Sequence, residues 1–398
     1  MSRITSVGID IGTSSIKVIA VERSDEVSFP TQPKIVGYGV AESKGIRHGY
    51  ISNIGEVAKS IRAAVAQTEK NSGLKIKKAY LSVGGVGLSA IVGIGVVNTT
   101  KADSEITDLD VNRAIEESEK ELPSAYISNR KIIHSVALEY RVDGKRVLGR
   151  PQGMKGIRLE ARVLYITCQT HHLNDMLLAV EEAGISIEDV VAAPMASSLV
   201  ALTKTQKIAG CVLVNIGAET TSIIVFENNI PISLEVFPIG SNDITNDIAL
   251  GLQISLEEAE LVKTGGAGAP AVSRRKLDGI IDARLSDIFE LIDTHLKKID
   301  RSGLLPAGII MIGGGSTLSG IENAARTSLH LPSKCPGIKY DTTFKFITEK
   351  QAEWVVGYGL GVLGINSEDE NTVDIKDGMR LIGKTRGTIW KWIKQFLP

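Results

Sequence analysis

The sequence predicts an α/β protein of two duplicated lobes, with a small α+β unit inserted into the first lobe. The main observation is a repeat: VGIDIGTSSIKVIAV at 7–21 returns as VLVNIGAETTSIIVF at 212–226. Strand and helix patterns alternate between the two copies. Because 398 residues exceed what one hydrophobic core usually supports, the repeat indicates two lobes with a cleft between them.

The first hairpin has two interpretations, which its own residues leave open. Gly and Ser are common in ordinary turns, so Gly-Thr-Ser-Ser at 12–15 fits a simple hairpin. The same small residues expose backbone N–H groups, as a phosphate-binding loop does. The second copy repeats the Asx-Ile-Gly step and the hydroxyls that follow it, which favours the phosphate loop.

The first half then continues with a helix and the inserted unit. Residues 53–72 form an amphipathic helix pattern with Val57, Ile61, Ala64, Val65 and Thr68 on one face and Gly73 as the stop. Strand patterns and one helix opened by Thr107 or Asp108 fill residues 84–162, which we expect to form a compact α+β insertion.

The second half carries three predicted helices and a glycine turn. The helices cover 244–251, 256–264 and 274–299, and Ser255 and Glu258 have the spacing of a capping box. A fully apolar strand then leads into Gly-Gly-Gly-Ser at 313–316 and a further helix.

Two features near this turn are ambiguous when taken alone. The Gly-Gly-Gly-Ser run is either a tight turn or a place where the backbone approaches a ligand closely. Glu260 and Lys263, three residues apart on one helix, are either a surface ion pair or a pair that binds ribose hydroxyls.

Composition excludes other function classes. The formal net charge is −1, so the chain lacks the basic field of a nucleic-acid-binding protein. Cys168, Cys211 and Cys335 are far apart, which fits neither a disulfide framework nor a metal site. No apolar run approaches the ~18 residues of a spanning helix, so a membrane partner would have to meet a local surface.

Five segments in this order resemble the actin-like ATPase superfamily: the two hairpins, the Ala-Glu-x-x-Lys helix at 259–263, the Gly-Gly-Gly turn and the closing WVVGYGLGVLG. Within it, KGIRHGYISNIGEVAKSIRAAVAQTE, VGGVGLSAIVGIGVV, GMKGIRLEARVLYITC and GSNDITNDIALGLQISLEEAELVKTGGAGA resemble the FtsA family of bacterial division proteins. The resemblance covers residues 5–365.

The resemblance implies an actin-like fold of ribonuclease H-like halves with a family-specific inserted subdomain. The implied boundaries are the first lobe at 1–83 and 163–198, the insertion at 84–162, the second lobe at 199–365 with 244–306 as its outer subdomain, a flexible linker at 366–380 and a terminal helix at 381–398.

Carried over residue by residue, the resemblance implies an ATP site with magnesium. Asp10 would hold Mg²⁺ through water, and Lys17 would lie near the phosphates. The other implied ATP-binding residues are Gly12, Thr13, Ser14, Ser15, Asn215, Gly217, Ala218, Glu219, Thr220, Thr221, Gly240, Ser241, Glu260, Lys263, Gly313, Gly314, Gly315 and Ser316.

The second hairpin departs from the superfamily pattern Asp-x-Gly-Gly-Gly-Thr-x-Asp. Asn215, Ala218, Glu219 and Ser222 stand at the differing places. An amide accepts a hydrogen bond but carries no negative charge toward a metal. The departure therefore predicts binding with at most weak ATPase activity. Glu219 is the one candidate for orienting a water molecule, and its alternative is a solvated loop residue.

The C-terminal tail predicts a membrane anchor. On a helix, Ile389, Trp390, Trp392, Ile393, Phe396 and Leu397 share one face, and Lys391, Lys394 and Gln395 share the other. Two tryptophans and basic residues after an acidic linker fit a helix lying in the interface of an anionic membrane. The alternative is a helix docked on the protein itself.

The resemblance implies a division protein that polymerises and attaches FtsZ filaments to the cytoplasmic face of the plasma membrane at the septum, together with other division proteins. FtsZ would bind through its C-terminal peptide, and Arg284 on the 274–299 helix is the expected contact. The alternatives are a PilM-like adaptor of type IV pilus assembly and a kinase-type phosphotransferase on the same fold.

Overall fold

The first lobe is built on a five-stranded sheet. The computed structural model describes residues 3–24 and 32–374, and none of the helices among them has the length and apolar character that a bilayer crossing needs. The lobe begins with β1 Arg3–Ile11, β2 Ser15–Ser24, β3 Lys34–Glu42, β4 Ile46–Arg47, β5 Tyr50–Ile51, α1 Ile54–Ser72 and β6 Lys78–Val83. As predicted, α1 starts at the Asn53 side-chain cap and ends at Gly73, which has a φ of 71°.

The inserted unit is a four-stranded antiparallel sheet covered by a helix. It contains β7 Leu88–Asn98, α2 Asp108–Lys120, α3 Ser124–Ile127, β8 Arg130–Val142, β9 Lys145–Val147 and β10 Arg158–Gln169, with strand order β7-β10-β8-β9. The predicted end at 162 falls inside β10, because that strand continues through Gln169, paired in an unbroken ladder with β7 and in a ladder with two register shifts with β8. The chain then returns to the first lobe through α4 Thr170–Glu182, β11 Ser186–Ala192 and α5 Ala193–Ala201.

The second lobe has its own five-stranded sheet. Its elements are α6 Lys204–Ala209, β12 Cys211–Ile216, β13 Thr221–Glu227, β14 Ile230–Phe237, α7 Ser241–Leu252, α8 Leu256–Thr264, α9 Arg274–Lys298, β15 Ile309–Ile312, α10 Ile321–Leu329, β16 Ser333–Lys334 and α11 Lys345–Glu349. Short 3₁₀ turns occupy Gly314–Thr317 and Gln351–Glu353. The predicted capping box opens α8, since Ser255 and Glu258 exchange hydrogen bonds.

The predicted duplication is present in the strand order. The first sheet runs β11-β6-β1-β2-β3 and the second runs β16-β15-β12-β13-β14. In the first sheet the central strand β1 pairs antiparallel with β2 and parallel with β6. In the second sheet β12 likewise pairs antiparallel with β13 and parallel with β15. The two hairpins of the sequence repeat therefore occupy equivalent positions, β1–β2 and β12–β13.

The last helix, α12 Val355–Asp374, differs from two sequence-based boundaries. It packs on α5 and on β1, β2 and β6, so it belongs to the first lobe and not to the second as the 199–365 range had it. A Cβ on Gly8 would lie 2.5 Å from the carbonyl oxygen of Gly357, so helix and sheet touch through bare backbone. Residues 366–374 continue the helix where a linker was expected, and the remainder of that linker lies outside the described residues.

Candidate functional site

The two hairpin turns have the same backbone geometry. The Gly12 N–H donates to the Ser15 carbonyl at 3.2 Å, and the Gly217 N–H donates to the Thr220 carbonyl at 2.9 Å. In each lobe a serine that follows the third strand closes the turn. The Ser43 hydroxyl, directly after β3, donates to the Gly12 carbonyl, and the N–H of Ser241, at the start of α7, donates to the Gly217 carbonyl. Small residues are required because these turns bring backbone against backbone.

Between the lobes lies a cavity of about 1080 Å³, into which both turns open. This volume is at the upper end of ordinary ligand pockets, and the lining is rich in backbone and hydroxyl groups. The structure brings sixteen of the predicted residues together on its wall: Asp10, Gly12, Thr13, Ser14, Ser15, Lys17, Asn215, Gly217, Ala218, Thr220, Ser241, Glu260, Lys263, Gly313, Gly314 and Gly315.

Three of the predicted residues lie next to the cavity wall without forming part of it. Thr221 is buried and donates to the Ile239 carbonyl at 2.8 Å, while the cavity is lined by its neighbour Ser222. Ser316 is buried and donates to the Gly313 carbonyl at 2.8 Å. Gly240 packs on the second turn, where a Cβ would lie 2.4 Å from the Ala218 carbonyl oxygen.

Glu219, the candidate for orienting water, also lies outside the cavity wall. Its carboxylate accepts a hydrogen bond from the backbone N–H of His48 in the first lobe. The side chain is therefore half-buried and held against the first lobe by this hydrogen bond, an arrangement that the sequence did not predict.

Asp10 and Lys17 are the charged residues that line the cavity beside the first turn. The Ser82 hydroxyl donates to Asp10 at 2.7 Å, and Lys17 Nζ donates to the Ser15 hydroxyl at 2.7 Å. Burial raises the pKa of Asp10 more than the positive charge of Lys17 and the Ser82 hydrogen bond lower it. A cation or further hydrogen-bond donor in the cleft would lower that pKa.

Asn215 is held against the glycine turn that follows β15. A Cβ on Gly313 would lie 2.3 Å from the Asn215 Oδ1, and Gly313 has a φ of 87°, a value that favours glycine. The Asn215 amide therefore lies directly against the Gly313 backbone, two residues before the turn that begins at Gly217.

Glu260 and Lys263 form part of a buried network, not only a surface pair. Lys263 Nζ lies 2.7 Å from the Glu260 carboxylate and donates to the Thr245 hydroxyl at 2.8 Å and the Ser241 carbonyl at 3.2 Å. The Lys263 side chain is 5% exposed and that of Glu260 is 49% exposed. Lys263 thus fixes Glu260 at the cleft with one face of the carboxylate open to a ligand.

The cavity includes residues that sequence reasoning missed. Glu353 lies 3.9 Å from Lys17 and 3.8 Å from Lys350, and all three line the cleft. Glu353 ends a 3₁₀ turn and Lys350 directly precedes it, and the Ala352 carbonyl of this turn accepts from the Gly313 N–H at 3.0 Å. No periodicity marks this segment; its position directly before the closing helix is the signal that could have found it.

Arg284 projects from α9 into an ion pair. Its Nε and Nη atoms donate to both oxygens of Asp247 on α7, at 2.6 and 3.0 Å, and Asp287 lies 3.3 Å away. Neighbouring carboxylates raise the pKa of Arg284, chiefly through the Asp247 hydrogen bond. The predicted membrane residues, Ile389, Trp390, Trp392, Ile393, Phe396 and Leu397, lie outside the described residues.

Comparison with solved structures places the fold. The chain superposes on a structure titled as a PilM–PilN type IV pilus biogenesis complex with a TM-score of 0.68, at 16% identity and covering 92% of this chain and 99% of the other. It superposes on MreB5 of Spiroplasma citri bound to AMPPNP with a TM-score of 0.51, at 12% identity and covering 94% and 99%. The expected actin-like fold is confirmed.

Comparison of sequences identifies the family. Residues 212–359 match the family model described as "Cell division protein FtsA", and residues 86–167 match "SHS2 domain inserted in FTSA", which confirms the insertion. The chain is 31% identical to FtsA of Bacillus subtilis over 89% of its length and 82% of that protein. It is 29% identical to FtsA of Pseudomonas aeruginosa over 92% and 90%. With this identity over nearly the whole chain, and the inserted domain in its place, the chain belongs to the FtsA family of bacterial cell division proteins.

Proposed function

We propose that the chain binds Mg-ATP between its lobes, polymerises, and attaches FtsZ filaments to the cytoplasmic membrane at the division site. The observation that carries the proposal is the cavity between two matching glycine turns in a chain of this family. Backbone N–H groups of such turns bind anions without a dedicated basic residue.

The cleft offers separate contacts for each part of a nucleotide. The turns at 12–15 and 217–220 would hold the phosphates with Lys17, Glu260 would accept from ribose hydroxyls, and the glycines at 313–315 would approach the base. Glu353 currently balances the charge of Lys17, so the phosphates would replace a carboxylate at that position.

Asp10 fits magnesium, which binds to one or two carboxylates and completes its shell with water and phosphate oxygens. The Ser82 hydroxyl donates to this carboxylate, and a bound cation would favour the ionised form that burial disfavours. Asn215 replaces the second carboxylate, so hydrolysis should be slow.

Two exposed surfaces support polymerisation. The insert-tip patch combines exposed Leu148, Met154 and Ile157 with Lys145, Arg146 and Lys155. The outer-helix patch, on α7 and α8, combines exposed Leu250, Leu256 and Leu261 with Glu257 and Glu258. Opposite charges around two apolar clusters on different lobes fit a head-to-tail contact between copies, which extends into a filament when the rotation does not close.

An acidic FtsZ peptide would meet the outer subdomain at α9, where Arg284 is the proposed contact. Because Asp247 already holds its guanidinium, the peptide would have to compete with that carboxylate. The tail at 381–398 supplies the proposed anchor on the anionic cytoplasmic surface, and other division proteins would join there.

A PilM-like pilus adaptor is the second candidate, favoured by the TM-score of 0.68. The sequence relatives at 29–31% identity are division proteins, and the terminal amphipathic pattern has a role in the first function.

ATP binding is tested by thermal unfolding with and without Mg-ATP. Ligand at 100 times its Kd stabilises the folded state by about 2.7 kcal/mol, so the melting temperature should rise. Lys17→Ala should remove the rise, whereas Lys59→Ala, on the exposed side of α1, should keep it. No rise at any ATP concentration would contradict the nucleotide site.

Tethering is tested by flotation of FtsZ filaments with vesicles of anionic phospholipid. The full chain should carry FtsZ into the lipid fraction, and deletion of 381–398 should leave it at the bottom while ATP binding persists. Replacing Trp390 and Trp392 with Glu should have the same effect, because the rings provide most of the insertion. If the deleted chain floats as well as the full chain, the anchor is wrong and the pilus adaptor becomes the better proposal.

A further inference from the structure

Glu219 connects the two lobes at the phosphate end of the cleft. It lies in the turn between β12 and β13, and its carboxylate accepts from the backbone N–H of His48, in the turn of the β4–β5 hairpin of the first lobe. Its neighbours Ala218 and Thr220 line the cavity, and Glu219 itself lies outside the cavity wall.

The His48 donor is fixed in position. His48 has a φ of 48°, in the left-handed region, and its carbonyl accepts from the Val86 N–H at 3.5 Å. The adjacent Gly49 touches Gly85 so closely that a Cβ on Gly49 would lie 2.4 Å from the Gly85 Cα. The β4–β5 turn is therefore packed against Gly85 of the first lobe, with the His48 N–H directed at the second lobe.

The Glu219 end is ordered by the same backbone that would bind phosphate. The Gly217 N–H donates to the Thr220 carbonyl, and the Asn242 N–H donates to the Ala218 carbonyl at 2.8 Å. These bonds set the path of residues 217–220, so an anion bound to that turn would stabilise the backbone from which Glu219 reaches His48.

We propose that Glu219 and the His48 N–H form an interlobe latch that holds the cleft closed over a bound nucleotide. Glu219 is then a positioning residue and takes no part in orienting the attacking water. A carboxylate accepting from an amide forms a stronger bond than a neutral acceptor does. Nucleotide release requires the lobes to separate, so breaking the latch should accelerate release. This inference rests on the proposed ATP site.

The test measures release of a fluorescent ATP analogue, chased with excess ATP, from the full chain and its variants. Glu219→Ala should release the analogue about tenfold faster or more, the effect of a lost charge-assisted hydrogen bond. Glu219→Gln keeps the shape and an acceptor oxygen and should fall between the two. Glu290→Ala, an exposed glutamate on α9, is the matched control and should release at the wild-type rate.

A second measurement separates the latch from a role in the chemistry. Hydrolysis in a single turnover of already bound ATP should be unchanged in Glu219→Gln; a loss of 100-fold or more would assign Glu219 to the chemistry and overturn the latch.

The outcomes distinguish the latch from the ATP site itself. If the wild type binds ATP and Glu219→Ala releases it at the wild-type rate, the latch is wrong and the proposed function stands. If the wild type binds no ATP, the proposed function fails and the latch fails with it.

Discussion

Gly313 is the residue at which the glycine turn tolerates no side chain. It has a φ of 87°, and a Cβ there would lie 2.3 Å from Asn215 and 2.5 Å from the Ile216 carbonyl oxygen. Gly314 has negative φ and open space, with the nearest atom 4.0 Å away on Glu353. The sequence shows three equivalent glycines, and the structure shows that only part of the run is sterically required.

Gly313→Ala should therefore lower the free energy of unfolding by about 2 kcal/mol or more through strain and contact. Gly314→Ala is the matched control and should change it by less than about 0.5 kcal/mol. Urea unfolding midpoints at constant m-value measure both. Equal effects of the two substitutions would show that the turn rearranges freely.

The sequence was sufficient to predict the site residues that form the backbone turns. It was not sufficient where the direction of a side chain decides whether a residue faces the cleft. The glycines and hydroxyls of both turns line the cavity as expected. Thr221 and Ser222 are adjacent on β13, and side chains alternate across a strand, so the pattern did not tell which of them faces the cleft. The contact of Glu219 could not be predicted from the local pattern, because its partner His48 lies in another lobe.

At the scale of elements, local signals were sufficient to predict where several helices begin and end. The caps at Asn53 and Ser255 and the amphipathic spacing of α9 gave the helices almost to the residue. The end of β10 and the position of α12 depend on which sheet the segment joins, and a single sequence does not contain that information.

The pair between α7 and α9 gives a prediction that differs from the one based on sequence. From sequence, Arg284→Glu should weaken peptide binding and leave stability unchanged. The two hydrogen bonds to Asp247 predict that it also lowers stability, by about 1 kcal/mol, because both side chains are 29% exposed and solvent screens their attraction.

Exchanging the charges separates the two roles. The Arg284→Asp, Asp247→Arg double variant should recover part of the stability that either single variant loses, as a double-mutant cycle in urea would measure. If peptide binding stays weak in the double variant while stability returns, Arg284 contacts the peptide. Recovery of both would place the peptide elsewhere on the outer subdomain.

At the scale of the whole molecule, buried histidines couple folding to pH. Burial lowers the pKa of His134 to about 4, and burial with the charge of Lys298 lowers that of His295 to about 4. His134 accepts from the Ala192 N–H at 2.9 Å and His295 contacts the Ser233 hydroxyl at 2.7 Å, so the first lies in the first lobe and the second in the second lobe.

Below pH 6.5 these two imidazoles become protonated in the unfolded chain, whereas in the folded chain they stay neutral until the pH approaches 4. Stability should therefore be constant above that pH with respect to these groups and fall as the pH falls from 6.5 toward 4, by roughly 3 kcal/mol for each histidine. Urea unfolding at pH 7.5, 6 and 5 measures the loss. His134→Gln, which keeps an acceptor for Ala192, should reduce the slope; an unchanged slope would show that His134 is protonated in the fold.

The return of α12 to the first lobe has a mechanical consequence. The chain enters and leaves through the same lobe, and the second lobe is a loop between those two crossings. Tension applied beyond Asp374 therefore enters the first-lobe sheet through a helix packed along β1, β2 and β6. A load applied to the outer helices of the second lobe reaches that end only through the contacts between the lobes, which are the packing of β12 and β13 on α5, the packing of β14 on the inserted unit, and the walls of the cleft. The cleft is therefore one of several connections along the force path, and a ligand that fills it would stiffen that connection.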